Sequence, residues 1–173
     1  PGGNALADLV WRRRELHRAH GIKTRFVLAD PDWRGGPAVE EFAVVQVEER
    51  RAAALERLLV QEAGQGTPVV LHYVGYGYQK RGCPGWLVGG LERWKQRPHA
   101  ALLTMFHELY AKPGPVWSSS FWNSSLQRRL SVRLVRCSDC CRTNRAKLAL
   151  EIGRMASHTS VPPKVLPVFS NLG

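Results

Sequence analysis

An α/β domain built on a mostly parallel, doubly wound sheet is what this sequence predicts, and three observations predict it. Short apolar runs alternate with helix-like segments along most of the chain. The runs are apolar throughout rather than alternating, as strands flanked by helices on both faces are. Glycine, proline and asparagine or aspartate punctuate the junctions.

Residues 4–20 read as a helix, with Leu6, Leu9, Val10 and Leu16 towards one face and Gly21 as its stop. Residues 24–29 follow as a strand that ends at the loop Asp30-Pro31-Asp32. Residues 42–47 form a second apolar run. Residues 48–62 are helical, with Leu55, Leu58 and Leu59 on one side. A third strand spans 68–74 and runs into a Gly/Tyr loop, Gly75-Tyr76-Gly77-Tyr78. A short helix over 87–96 and a fourth strand over 100–106 come next. After a Pro/Gly/Ser loop, 121–135 is a helix with Leu126, Leu130 and Leu134 at spacing four, capped by Ser119 or Ser120. A very short strand over 140–143, a helix over 145–155 and a last strand over 164–169 complete the order.

Composition narrows the classes. Apolar residues at 44% and charged residues at 23% suit a globular domain and exclude a wholly disordered chain. Four cysteines in 173 residues exclude a disulfide-stapled mini-protein. Their C-x-x-C-C cluster, Cys137, Cys140 and Cys141, lacks the second ligand pair of a structural zinc site and reads as free thiols. No run of about 18 apolar residues is present, and no signal peptide is read at the start, so the expected location is cytoplasmic. Twenty-five Lys and Arg against 14 Asp and Glu give a net charge of +11. That excess favours polyanions, and peripheral contact with an anionic membrane is one use for it.

Open parallel sheets bind ligands outside the carboxyl ends of their strands. Candidate residues fall there: His72, Tyr73, Tyr76 and Tyr78 after the third strand, His107 and Glu108 after the fourth, Ser170 and Asn171 after the last. Gly2, Gly3 and Asn4 open a helix, where free N–H groups favour an anion. Each has a plainer reading: a histidine satisfied by a backbone carbonyl, tyrosines packed in a loop, glycines in a turn. Trp117 to Trp122 sets aromatics beside hydroxyls and reads as a helix cap, a sugar platform or a patch touching lipid or a partner.

The runs Val70 to Tyr78, Arg81 to Pro84, Trp86 to Val88, Thr104 to Ala111, Ser119 to Trp122 and Leu166 to Gly173 together resemble a bacterial glycosyltransferase-like group. The chain is similar to the N-terminal, acceptor-side domain of a two-domain GT-B enzyme that retains anomeric configuration. The likeness covers most of the chain and is weakest over 30–66. It implies a single Rossmann-like domain over 1–173, a piece lacking its first strand and the C-terminal donor-binding domain, and inactive by itself. It implies a nucleotide-sugar donor as substrate, a saccharide or lipid-linked hydroxyl acceptor, no cofactor and no metal. Gly2, Gly3 and Asn4 would lie by the donor phosphates. His107 and Glu108 would lie by the reacting sugar. His72, Tyr73, Tyr76, Tyr78, Ser170 and Asn171 would line the acceptor side. Thr143-Asn144-Arg145 departs from the family's Thr-x-Ser element, so Arg145 carries no role. Two other classes stay open on residues alone: a basic nucleic-acid or polyanion module, although no nucleic-acid motif is present, and a non-catalytic Rossmann-like scaffold.

Overall fold

A computed structural model describes residues 21, 23–35, 38–39, 42–63, 66–111, 114–115, 117–156 and 162–166. The chain divides into two compact units, one ending at Glu49 and the other starting at Arg50. The helix expected over 4–20 and the tail beyond 166 lie outside the described residues.

In the first unit, β1 (Phe26–Leu28), β2 (Ala38–Val39) and β3 (Phe42–Gln46) form a sheet in the order β1-β3-β2. β1 runs parallel to β3, with Phe26 opposite Val44 and Leu28 opposite Gln46. β2 is antiparallel to β3 and was not expected: two residues are too short to give an alternation signal. The Asp30-Pro31-Asp32 turn forms as read. The Asp32 N–H donates to Asp30 Oδ1 at 3.2 Å, and Gln46 Nε2 ties the loop down by donating to Asp30 O at 2.7 Å and Trp33 O at 3.1 Å. Phe26 and Phe42 meet edge to face at 5.4 Å.

The second unit carries the larger sheet. β4 (Val69–Tyr73), β5 (Leu102–Phe106), β6 (Cys140–Thr143) and β7 (Lys164–Val165) are all parallel, in the order β4-β5-β6-β7. The connecting helices are α2 (Gly85–Lys95), α3 (Ser119–Cys137) and α4 (Ala146–Met155), and α1 (Ala52–Glu62) precedes β4. Strand order that advances in one direction through right-handed crossovers sets the crossover helices side by side. Accordingly α1 packs on α2, α2 on α3 and α3 on α4. α1 and α2 approach closely at Gly90, where an added Cβ would stand 2.9 Å from both Ala52 O and Leu55 Cβ. This is an α/β fold whose alternating strands and helices form parallel sheets, Rossmann-like in its architecture.

The core lies between this helix layer and the sheet: Leu55, Leu59, Leu87, Leu91, Leu102, Phe106, Leu134 and Ile152 are buried. Burial alternates along the strands although the runs are apolar throughout. Leu71, Tyr73, Leu102, Thr104, Phe106, Cys141 and Thr143 are buried on the helix side, whereas Val70, His72, Leu103, Met105, Cys140 and Arg142 keep partial exposure on the other. Thr104 is polar and buried, and its hydroxyl is matched at 2.7 Å by that of Ser138.

Two helix readings change. α3 starts at Ser119, and its cap is Ser118, whose Oγ accepts the Phe121 N–H at 3.3 Å, one residue before the caps expected. Leu130 and Leu134 are buried but Leu126 is exposed. A spacing of four drifts about 40° per step around a helix, so it cannot stay on one buried stripe.

Candidate functional site

β4 and β5 are neighbours in register, with His72 opposite Met105 and Tyr73 opposite Phe106. Successive strand residues face opposite sides. His72 therefore shares a face with Met105 and, one step past the end of β5, with His107. The His107 N–H donates to Tyr73 O at 3.2 Å and carries the ladder that one step further. The consequence is a direct meeting of two side chains 35 positions apart: His72 Nδ1 and His107 Nε2 are 3.2 Å from each other, with the rings stacked at 22° and 5.5 Å between centroids.

One ring must donate and the other accept in that bond, so the pair is held with at least one ring neutral. Burial pushes the His107 pKa below its ordinary value, against the opposing pull of the Glu108 carboxylate. The shift favours the neutral imidazole. His72 Nε2 is buried. The other ring nitrogen of a neutral His107, Nδ1, accepts if Nε2 donates and donates if Nε2 accepts.

The segment after β4 curls into a single helical turn, Gly75–Tyr78, rather than the open loop the Gly/Tyr pattern suggested. That turn brings Glu108 in: Glu108 Oε1 accepts the Tyr76 N–H at 3.4 Å. The Tyr78 hydroxyl donates to His72 O at 2.6 Å, and burial pushes its pKa up to about 12. Tyr76 is 54% exposed. Tyr73 goes elsewhere. It is fully buried on the helix side, edge to face with Phe106 at 5.6 Å, and burial pushes its pKa up to about 12. The alternation of strand side chains accounts for the split, since His72 and Tyr73 cannot share a face. Hence the structure brings the His72 and His107 rings together and sets Glu108 against the Tyr76 N–H, whereas Tyr78, whose hydroxyl holds His72 O, stacks its ring on the buried Tyr73 ring at 6.4 Å. Gly2, Gly3, Asn4, Ser170 and Asn171 lie outside the described residues.

Sequence reasoning missed the groups that hold these two loops. Ser124, Gln127 and Ser131 line one stripe of α3, and all three are buried. Ser131 Oγ donates to Leu109 O at 2.7 Å and Ser124 Oγ to Ala111 O at 2.7 Å. Gln127 Oε1 accepts the Ala111 N–H at 2.7 Å, while its Nε2 donates to Arg81 O at 2.6 Å and to the Tyr76 hydroxyl at 3.1 Å. One side chain thereby joins the exit of β4 to the exit of β5. The signal was present as polar residues at i, i+3 and i+7, interleaved with Leu130 and Leu134, but polar residues on a helix read first as its solvent face.

Among the described residues no group of three or more His, Cys, Asp or Glu could hold a metal. The four cysteines are free thiols, and burial pushes Cys137 and Cys141 up to about 11. Among the described residues, one surface hollow of about 560 Å³ lies beside Leu150, Arg154 and Val165, and another of about 250 Å³ beside Glu56, Val60 and Arg97. Neither touches the histidine pair. The pair sits at a strand edge, the place where parallel sheets carry ligands, so chemistry and topology locate the candidate site better than hollow size does.

No family model, no curated protein and no solved structure matches this chain, and what identifies it is its architecture, a Rossmann-like α/β fold with parallel sheets.

Proposed function

We propose that this chain is the acceptor-side domain of a retaining GT-B glycosyltransferase, which moves a sugar from a nucleotide-sugar donor to a hydroxyl. The observation that supports the reading is the hydrogen-bonded pair of His72 and His107 at the carboxyl ends of adjacent parallel strands, with Glu108 beside it. A neutral imidazole suits a sugar hydroxyl, because its second ring nitrogen can present either a donor or an acceptor. Glu108, fixed against the Tyr76 N–H, supplies a second acceptor at the same edge. In this reading His107 and Glu108 face the reacting sugar, and His72 orients His107. Tyr76 and Tyr78 shape the acceptor wall. The departing diphosphate gains negative charge, and oriented backbone N–H groups such as those of a glycine loop are what would stabilise it.

Titration of the 173-residue chain with a panel of saccharides and nucleotide sugars, followed by NMR of the histidine ring protons, tests this. The expected result is a saccharide-dependent shift of both ring systems that disappears in His107→Ala, with little response to nucleotide sugars. Tight binding of a nucleotide sugar to this chain, or no saccharide response at any concentration reached, overturns it.

A further inference from the structure

Helix α3 carries a second feature, on the side turned away from its buried serines and glutamine. Trp122, Leu126, Arg129, Arg133 and Arg136 are spaced four, three, four and three residues apart, which keeps all five on one stripe. That stripe is exposed along its length: Trp122 is 68% and Leu126 47% exposed, and Arg129, Arg133 and Arg136 are exposed too. Trp117, just before the helix, is 85% exposed. The nineteen residues of α3 include four arginines and no acidic residue. Its outer face is therefore divided along the axis, aromatic and apolar at the N-terminal end and cationic at the C-terminal end. Glu92 on α2 engages Arg133 through Nε and one terminal nitrogen, at 2.9 Å and 2.5 Å, so this guanidinium of the stripe is ion-paired, while Arg129 and Arg136 have no partner of this kind among the described residues.

We infer that this face is a docking surface for an anionic phospholipid bilayer. Two large indole rings, exposed at one end of the helix, match the headgroup boundary, where an apolar ring and a polar N–H are both accommodated. Arginines farther along the same stripe meet lipid phosphates. A chain of net charge +11 is drawn towards such a surface before contact. Nucleic acid would use the arginines but gives no role to exposed Leu126, and a folded protein partner would need pockets shaped to both rings. Because α3 is the crossover between parallel β5 and β6, its N-terminal end lies at the sheet edge where β5 finishes. Docking through Trp117 and Trp122 would hold the His72–His107 edge near the lipid surface. The inference rests on the surface alone and does not require sugar transfer.

Sedimentation of the 173-residue chain with vesicles of phosphatidylcholine, and of phosphatidylcholine mixed with phosphatidylglycerol, tests it at low and high salt. Expected is binding to the anionic vesicles alone, weakened by salt. Trp117→Ser with Trp122→Ser lowers the partition at least about tenfold. Arg129→Gln with Arg136→Gln lowers it about 25-fold, at about fivefold per charge. All these side chains are exposed, so far-UV circular dichroism of either pair should match the parent, and each pair is an independent test. Absence of anionic-vesicle binding overturns the inference. So does binding that ignores the tryptophan pair, which is charge adsorption without docking. A dimer or an oligonucleotide complex that requires Trp122, in the absence of vesicle binding, would assign the face to that occupant instead. A saccharide response without vesicle binding would sink this inference and leave the transferase reading standing; the reverse result would do the opposite.

Discussion

Replacing Gln127 by leucine removes three hydrogen bonds while nearly conserving volume, so the cost is that of stranded partners rather than of a cavity. The Tyr76 hydroxyl belongs to an exposed side chain and can turn to water, so it contributes little. The Ala111 N–H and the Arg81 carbonyl, bonded to Gln127 at 2.7 Å and 2.6 Å in part-buried surroundings, lose their only bonds to this side chain. At about 1–2 kcal/mol for each stranded group, the loss is about 2–4 kcal/mol. For a chain of this size that corresponds to a melting point lowered by roughly 5–15 °C. Urea unfolding followed by circular dichroism measures the first quantity. Hydrogen exchange at Ala111 reports the local part, and its protection should fall further than that of core amides on β5. A second variant sharpens the test. Gln127→Glu places an acceptor against the Arg81 carbonyl, so its carboxyl favours the protonated form when folded and its folded pKa lies above the unfolded one. Stability of that variant is then largest at acid pH and falls as pH rises past about 4.3. Leucine at 127 costing under about 0.5 kcal/mol, with the Ala111 amide still protected, would refute the idea that this side chain ties the two loops together.

Three further outcomes are expected. His107 has a depressed pKa, so the folded state takes up its proton later than the unfolded state does. Its contribution to stability is complete above 6.5, its ordinary value, and is lost as pH falls below that; thermal melts across this range should show the slope, and His107→Asn should flatten it. Gly90→Ala forces a methyl to within 2.9 Å of Ala52 O and Leu55 Cβ, and equilibrium unfolding should register about 1–3 kcal/mol of destabilisation; an unchanged midpoint would mean that α1 and α2 separate freely. With thiol pKa values pushed from 9.0 to about 11, Cys137 and Cys141 hold about 100-fold less thiolate at neutral pH than an ordinary thiol. Mass spectrometry after brief alkylation should find them the last to be modified, and rapid labelling of either would contradict their raised pKa.

Much of the fold was legible because parallel strands announce themselves. Residues 68–74, 100–106 and 140–143 are dense apolar or β-branched runs between helix-like segments, and each contains a strand of the larger sheet. The meeting of His72 with His107 was legible in kind, since both stand where strands of a parallel sheet end. The bond between them was not, because register depends on which residues oppose each other across the ladder. The assignment of Tyr73 to the same wall as His72 ignored the two-residue period of a strand, which was available from the sequence. The helical turn at Gly75–Tyr78 was hidden by two glycines that ordinarily break helices. The Ser124, Gln127 and Ser131 stripe was hidden because its partners are backbone groups of distant loops, and nothing in the sequence of α3 names them. The outward turn of Leu126 follows from drift at spacing four, and it is this drift that places Leu126 beside Trp122.

Gly82 adopts a φ of +64°, and a Cβ there would stand 2.8 Å from Gln127 Nε2. The two positions therefore constrain each other across 45 residues of chain. Any homologue bearing a larger residue at 82 would have to shorten the side chain at 127 and find another tether for the turn. Paired variation at these two sites, once sequences are compared, would be the evolutionary trace of that steric bargain.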